Sequence, residues 1–307
     1  MSIASESIES FTASDGASLR FGISRHRDST SAVVMLHGMA SNMTRWSEFV
    51  ANTSLTEQFT VIRLDLRGHA GSVYRGRIDL ERWCHDIAEY LQAQNIGQVV
   101  LVGHCLGANL ATHFCAHYRE MTKGVVLIEP IVRQALVGVL ARAAKWRPAL
   151  AALIAMVRAL NALGLYRREL APLDLAQLDE QTRQLMAEHH GEFLKERYGS
   201  VRQDLRQVPT AVYLQDLLAV TAQMPEQGLG NTPALAMLAS QSTFTDRDKT
   251  LAWLAEQQNC LIESVQAIHW IPTEQPQQMR ELIENWCTGL NQPARVQEAH
   301  PHQLDQQ

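Results

Sequence analysis

The chain contains 307 residues, of which 46% are hydrophobic and 19% charged, an ordinary composition for a globular protein. Its 27 Lys and Arg against 32 Asp and Glu give a net charge of −5, which argues against a nucleic-acid binder dominated by phosphate contacts. An odd number of cysteines, five, argues against a secreted disulfide framework. Neither a signal peptide nor an apolar stretch long enough to span a bilayer is visible. We therefore expect a cytoplasmic protein with no stable membrane insertion and no nucleic-acid partner.

The first 130 residues alternate between strand-like and helix-like segments. Two alternating segments joined at Asp15 and Gly16 predict a β-hairpin. Four continuous apolar runs follow, and a helical pattern over 78–94 separates the second from the third. Such runs are typical of parallel strands buried on both faces, and ligands bind at the carboxyl ends of those strands. The four runs read AVVMLHG, QFTVIRLDLRGHAGS, QVVLVGHCLG and KGVVLIEP.

The pattern changes after residue 130. Residues 131–232 are rich in Ala, Leu, Gln and Arg at helical spacing and contain no convincing strand. Strand-like runs return from Pro233, and a helix is predicted from about Gln275 to Gly289. We therefore predict an α/β core over 1–130 and 233–290, an all-helical cap (lid) over 131–232, and a disordered tail over 291–307.

One motif in the sequence is typical of a catalytic nucleophile. The segment GHCLG, at 103–107, lies between an apolar run and a helix-like segment. A sharp strand-to-helix turn is crowded, so glycine is needed two residues before and two residues after its apex. The apex side chain is exposed at a helix N-terminus, where the helix dipole favours a developing anion. The pattern is a nucleophile elbow with Cys105 at the position that serine usually holds.

With these motifs the chain resembles proteins of the α/β-hydrolase fold over about 5–130 and 233–288. The resemblance is carried by His37-Gly38 after the first buried run, DLRGHAGS at 65–72, the elbow at Cys105, and His269 near the end of the core. It implies a mostly parallel sheet flanked by helices, with the cap inserted after the sixth strand. It does not specify a substrate, because this fold hosts many reactions.

The resemblance also implies catalytic roles. Cys105 would be the nucleophile and His269 the general base. The backbone N–H groups of Met39 and Leu106 would form the oxyanion hole. We expect no metal ligands and no cofactor. Residues expected to contact the substrate are His37, Gly38 and His104.

The sequence leaves open which acidic residue would complete a catalytic triad with Cys105 and His269. The loop after the seventh strand usually carries the acid, but Ser242 stands at the aligned position. Another branch, which includes haloalkane dehalogenase-like proteins, places the acid after the sixth strand, and Glu129 holds that position. We favour Glu129 as the acid, with Asp246 and an acid-free Cys–His pair as alternatives.

Cysteine at the elbow favours thioester substrates, because attack of a thiolate on a thioester forms another thioester with little change in free energy. The chain resembles the Cys-type α/β-hydrolase proteins, thioesterases and acyl or aminoacyl transferases, of nonribosomal peptide and polyketide assembly. The expected substrate is an acyl thioester of coenzyme A or of a carrier protein's phosphopantetheine. One alternative is an ester or lactone hydrolase of the same fold. A second is a non-catalytic relative.

The cap has an unusual charge distribution. Between Glu129 and Glu169 there are seven basic residues and no acidic ones. They could dock an acidic carrier protein or the phosphates of coenzyme A, or they could be solvated faces of amphipathic helices. The seven are Arg133, Arg142, Lys145, Arg147, Arg158, Arg167 and Arg168.

Overall fold

Eight strands form one sheet in the computed structural model, which describes residues 6–27, 29–188 and 193–290. The strands are β1 (Ser7–Thr12), β2 (Ser18–Ser24), β3 (Ser31–Leu36), β4 (Thr60–Asp65), β5 (Gln98–His104), β6 (Thr122–Ile128), β7 (Ala234–Ala239) and β8 (Cys260–Val265). Their order across the sheet is β1-β2-β4-β3-β5-β6-β7-β8. Strand β2 runs antiparallel to β1 and β4, and every other neighbouring pair is parallel. This is the α/β-hydrolase architecture expected from the sequence.

Helices cover both faces of the sheet. The predicted helix over 78–94 begins after Asp79, whose side chain accepts a hydrogen bond from the Arg82 N–H and so caps it. The helices are α1 (Ser47–Asn52), α2 (Leu80–Ala93), α3 (Leu106–His117), α4 (Gly138–Lys145), α5 (Arg147–Ala162), α6 (Leu175–Glu188), α7 (Leu194–Tyr198), α8 (Val201–Gln207), α9 (Thr210–Val220), α10 (Arg247–Ala255), α11 (Ile271–Glu274) and α12 (Pro276–Leu290). Short 3-10 helices lie at Met43–Trp46, Leu55–Glu57, Arg119–Met121 and Arg133–Ala135.

Two apolar clusters lie on opposite faces of the sheet. Alternate residues of β5 belong to different clusters, since Leu101 packs with α2 and α3 while Val102 packs with α12. Burial on both faces explains why these strands are continuously apolar in the sequence. The predicted hairpin is present, with Gly16 at a φ of +81° in its turn.

The cap, comprising helices α4 to α9, lies between β6 and β7. Its described residues are helical or irregular, apart from one isolated bridge between Leu136 and Thr245. The chain leaves the sheet at Ile128 and rejoins it at Ala234, next to the cap limits expected from the sequence. The tail predicted over 291–307 lies outside the described residues. None of the described helices is long and apolar enough to cross a membrane.

Candidate active site

The elbow at Cys105 is a strained turn between β5 and α3. Cys105 has a φ of 55° and a ψ of −115°, in a region that non-glycine residues rarely occupy. A Cβ atom at Gly103 would lie 2.1 Å from the Gly107 carbonyl oxygen, and one at Gly107 would lie 2.2 Å from the Leu36 carbonyl oxygen. Both glycines of the GHCLG motif are therefore required by backbone contacts.

His269 and Glu129 lie beside Cys105. The Nδ1 atom of His269 is 3.1 Å from Oε2 of Glu129, and both side chains are buried. Burial by itself would lower the pKa of His269, but hydrogen bonds to Cys105 and Glu129 raise it to about 9. The arrangement therefore favours a protonated His269 next to the thiol sulfur at neutral pH.

Besides His269, two groups hold the carboxylate of Glu129. Its Oε1 accepts a hydrogen bond of 2.6 Å from the backbone N–H of Ala239, and its Oε2 accepts one of 3.2 Å from the Ser242 hydroxyl. Ser242, which stands at the position aligned with the usual acid, thus fixes the orientation of the Glu129 carboxylate after β6. Asp246 instead accepts hydrogen bonds from Asp248 and Lys249 at the start of α10. The structure places Glu129, rather than Asp246, against His269.

The loop that carries His269 is fixed by a residue that the sequence did not single out. The carboxylate of Glu274 accepts hydrogen bonds from the backbone N–H groups of Ile268, His269 and Trp270, at 2.9, 3.1 and 2.8 Å. No pattern in the sequence distinguishes this glutamate from others in the polar C-terminal helices. Its role becomes visible only when the loop is seen to fold back on α11.

Two of the three residues expected to contact the substrate, Gly38 and His104, line the cavity at Cys105. A Cβ at Gly38 would come within 3.3 Å of the Cys105 Cβ, so the glycine lets this loop approach Cys105. The Nε2 atom of His104 lies 3.1 Å from the His269 carbonyl oxygen. Burial and the neighbouring His269 hold the pKa of His104 well below its usual range, so its ring is neutral.

His37 does not line the cavity, contrary to the substrate contact expected from the sequence. It is fully buried: its Nε2 accepts a hydrogen bond from the Leu66 N–H, and its Nδ1 lies 2.8 Å from the Gly38 carbonyl oxygen. Burial and then His69 lower its pKa well below the usual value. With both ring nitrogens occupied by backbone groups, His37 shapes the loop and does not face the substrate.

The expected oxyanion donors lie on either side of Cys105: Met39 is in the loop after β3, and Leu106 is at the start of α3. Leu106 is the first residue of α3, so its N–H has no intrahelical acceptor. Within the described part of the chain, neither amide donates to a protein acceptor. The following residue, Ala40, has a φ of 50° and donates its N–H to Asp216 of the cap. Both amides therefore remain able to bind a carbonyl oxygen of a substrate.

A cavity of about 360 Å³ lies between the sheet edge and the cap and contains Cys105 at its base. Aromatic rings surround the histidine: the Phe244 and Trp270 ring centroids are 4.7 and 5.4 Å from that of His269. Asp204 is a titratable residue in the cap wall, and burial together with the nearby Asp216 raises its pKa to about 7. Aliphatic residues from the cap complete the wall, namely Val139, Leu140, Leu173, Leu175, Leu178, Val201, Leu217 and Val220.

Two buried ion pairs join the cap to the core beside the cavity. Arg45, before α1, contacts both carboxylate oxygens of Asp179 at 2.6 and 2.7 Å, and it also donates to Thr273. His69, after β4, lies 2.8 Å from the Asp216 carboxylate. Burial opposes the charged form of His69, but the carboxylate of Asp216 outweighs it and raises the pKa. A buried charge loses hydration, so each pair favours one docked position of the cap.

The family of the chain follows from comparison with known proteins. A model of the alpha/beta hydrolase family matches residues 33–282. The chain belongs to this family. A 2-(acetamidomethylene)succinate hydrolase of Mesorhizobium japonicum is 29% identical over 106 residues, which are 34% of this chain and 37% of that protein. The matches to curated relatives thus span only about a third of those proteins' lengths, 28% in the case of an uncharacterised Mycobacterium tuberculosis protein.

Solved structures support the same fold. A hydrolase from Pseudomonas aeruginosa superposes with a TM-score of 0.66 at 19% identity, covering 91% of this chain and 98% of the other. A thermophilic esterase from Thermogutta terrifontis gives a TM-score of 0.65 at 20% identity, covering 94% of this chain and all of the other (100%). At these identities the likeness establishes the fold and not the substrate.

Proposed function

We propose that the chain is an acyl-transfer enzyme that uses Cys105 as nucleophile on thioesters, as a thioesterase or an acyl or aminoacyl transferase. The observation that carries this proposal is a cysteine at the elbow, hydrogen-bonded to a histidine whose pKa is raised to about 9 and whose other nitrogen contacts Glu129. A thiolate is the reactive form of cysteine, and a protonated imidazole next to it stabilises that form. Exchange of one thioester for another keeps the acyl group activated for transfer.

In the proposed reaction the Cys105 sulfur bonds to the substrate carbonyl carbon, and the carbonyl oxygen becomes an oxyanion held by the Met39 and Leu106 amides. The bond to the leaving thiol then breaks, and His269 gives its proton to that thiolate. In the second half His269 takes a proton from the acceptor, water or another thiol, as it attacks the acyl-cysteine. Glu129 keeps the imidazole in position and compensates its charge throughout.

The cavity wall supports an apolar acyl group. Most of its cap side is aliphatic, and Phe244 and Trp270 lie against the catalytic histidine. Apolar pockets bind by removing apolar surface from water, with a few polar groups setting orientation. The thiol portion would come from coenzyme A or from a carrier protein's phosphopantetheine.

A second candidate is hydrolysis of an ester or lactone by the same acyl-cysteine chemistry. It is favoured by the names of similar proteins, a 2-(acetamidomethylene)succinate hydrolase and an esterase. It requires the thiolate to attack a less activated carbonyl. The third hypothesis is a non-catalytic relative. The contacts of His269 with Cys105 and Glu129 argue against it.

The test is intact-protein mass spectrometry after incubation with acyl-CoA and acyl-carrier thioesters of several chain lengths. We expect a mass increase equal to the acyl group in the native protein and in Cys260→Ala, and none in Cys105→Ala. Cys260 is the matched control because it is the other cysteine that is not fully buried. Discharge by a carrier thiol faster than by water would indicate a transferase, and the reverse a thioesterase. An adduct that persists in Cys105→Ala would overturn the scheme, and adducts formed only from oxyesters or lactones would favour the second candidate.

A further inference from the structure

The outer side of the cap exposes an unusual number of apolar side chains. We name the segment 137–168 the outer cap face. It includes α4, α5 and the turn after α5, and it contains nine of the thirteen large hydrophobic residues that are exposed in the described part of the chain. The nine are Val137, Val139, Trp146, Leu153, Met156, Leu160, Leu163, Leu165 and Tyr166.

Helix α5 is the centre of this face. Of its 16 residues only Ile154 is buried, although its sequence, RPALAALIAMVRALNA, is almost entirely apolar. Leu153, Met156 and Leu160 point outward and remain 41, 54 and 40% exposed, with alanines between them. A surface helix normally presents charged residues to water, and one that is apolar all round is normally covered. One side of α5 packs on α9, and at 1.5 Å per residue the helix is about 24 Å long.

Basic residues lie beyond both ends of this helix. Arg142 and Lys145 are exposed just before α5, and Arg167 and Arg168 are exposed just after it. No acidic residue occurs anywhere between 130 and 168. An apolar surface bordered by positive charge is complementary to a layer that is apolar inside and anionic outside.

The rim of the cavity at Cys105 includes exposed residues of the cap. Val139 of α4 and Val201 of α8 are both exposed, and both also line the cavity. An apolar substrate that leaves a lipid layer under the outer cap face would meet this rim before it met bulk water. The position of the cavity therefore gives the exposed face a use that a solvated surface would not have.

We propose that the outer cap face docks on an anionic phospholipid bilayer, with α5 lying in the plane of the headgroups. Trp146 is 65% exposed at the N-terminal end of α5, and Tyr166 is exposed beyond the other end; both are residue types that favour the membrane interface. The protein would lie on the membrane without crossing it, since none of the described helices can span a bilayer.

The observations favour a bilayer over other occupants. A second copy of the chain, docked symmetrically, would bring the same cations close to each other without an intervening anion. An acidic protein would need polar partners along the contact, and the outward side of α5 offers methyl and methylene groups instead. The proposal does not depend on the reaction at Cys105, and Cys105→Ala is expected to bind membranes like the native protein.

The experiment is co-sedimentation of the full chain with vesicles of pure phosphatidylcholine and with vesicles containing about a third phosphatidylglycerol. We expect binding to the anionic vesicles at least ten-fold stronger than to the neutral ones, weakened when salt is raised to 0.5 M. Trp146 fluorescence should shift to shorter wavelength on binding, and this shift should be lost in Trp146→Phe.

Matched variants separate apolar and electrostatic contributions. Met156→Glu and Leu160→Glu should each weaken binding about ten-fold or more, whereas Leu261→Glu should not change it, because Leu261 is equally exposed but lies on β8, away from the cap. Arg142→Gln and Lys145→Gln should each lose about five-fold, and Arg77→Gln, an exposed arginine on the core, should lose less than two-fold. Circular dichroism and thermal midpoints confirm that the variants fold.

Four results would overturn the proposal. One is equal binding to neutral and anionic vesicles, and a second is no binding to either. A third is a native dimer in size-exclusion chromatography that Leu160→Glu dissociates while vesicles are not bound, which would make the face an interface between copies. Binding of an acidic protein that is abolished by Met156→Glu, again without vesicle binding, would likewise replace the bilayer with a protein partner.

Discussion

At the carboxyl edge of the sheet, Cys105 and Glu129 each stand one residue beyond a strand, in backbone conformations with positive φ. The cap contributes to the same cavity from helices, through side chains tied to the core by the Arg45–Asp179 and His69–Asp216 pairs. The first region is positioned by the backbone within a few residues. The second is positioned by long-range contacts between side chains.

Because of this difference, we expect the sheet edge to set the rate of the reaction and the cap to set which substrate binds. A strand end packed on both sides cannot shift by a fraction of an ångström without breaking ladder hydrogen bonds, so Cys105 and Glu129 keep their geometry. A helical cap attached through a few buried pairs can change its lining without disturbing the sheet. We therefore expect substitutions in the core to affect turnover and substitutions in the cap to affect binding and substrate choice.

The largest expected effect comes from the elbow. Gly107→Ala would force a Cβ to within 2.2 Å of the Leu36 carbonyl oxygen, and α3 would have to move away from β3. We expect acylation of Cys105 to fall about a thousand-fold and the thermal midpoint to fall by several degrees. The matched control is Gly164→Ala after α5, where φ is +81° but the space is open. It should cost about 1–2 kcal/mol of stability and leave acylation within two-fold. Equal effects of the two substitutions would contradict the comparison.

The next largest effect is expected at Glu129, the proposed acid. Glu129→Gln removes the anion that faces His269, and we expect kcat/KM for thioesters at neutral pH to fall about a hundred-fold. The native enzyme should lose turnover as pH rises through about 9, where His269 loses its proton, and the variant should lose it at a lower pH. Asp246→Asn is the control, because Asp246 caps α10 and Asn caps helices equally well. Greater loss in the control would make Asp246 the acid.

The same titration sets a pH dependence of stability. The pKa of His269 is raised in the folded protein above its ordinary value of 6.5, to about 9. Its contribution to the free energy of unfolding is therefore complete below pH 6.5 and is lost as pH rises through about 9. Urea titrations across this range should give a steeper loss for the native protein than for Glu129→Gln. Parallel curves for the two proteins would show that Glu129 does not stabilise the charged histidine.

A smaller effect is expected where the cap touches the oxyanion loop. The Asp216 carboxylate contacts both His69 and the Ala40 N–H, next to the Met39 amide. Asp216→Asn keeps the shape and removes the charge, so we expect about a ten-fold loss in kcat with little change in KM. Asp179→Asn, which weakens the Arg45 pair instead, should alter KM more than kcat. A loss confined to KM in Asp216→Asn would exclude the positioning role.

The smallest effect concerns the cap wall. Because burial and Asp216 raise the pKa of Asp204 to about 7, this wall becomes charged above that pH. KM for an apolar acyl thioester should rise two- to three-fold between pH 6 and 8.5 in the native enzyme. In Asp204→Asn it should stay constant over the same range. An identical rise in both proteins would assign the titration to another group.

The sequence predicts the core well because its signals are local. The apolar runs that became β3 to β6 are continuous since both faces of those strands are buried, and the GHCLG motif carries its own steric reason. Glu129 is favoured as the acid because it stands after the sixth strand, the position that one branch of the fold uses for its acid. The expected substrate contact of His37 is wrong, because a histidine that hydrogen-bonds to backbone groups and one that faces a substrate cannot be told apart in a sequence.

What remained beyond the sequence is the set of contacts between distant segments. The support of Glu129 by Ser242, of the His269 loop by Glu274, and of Ala40 by Asp216 arises from residues that share no motif or spacing. The exposure of α5 was equally invisible, since an apolar helical pattern reads the same whether its outer side is covered or bare. Chain-local sterics and burial determine strands and turns, whereas the partner of a polar group and the covering of an apolar face depend on how the chain folds back on itself.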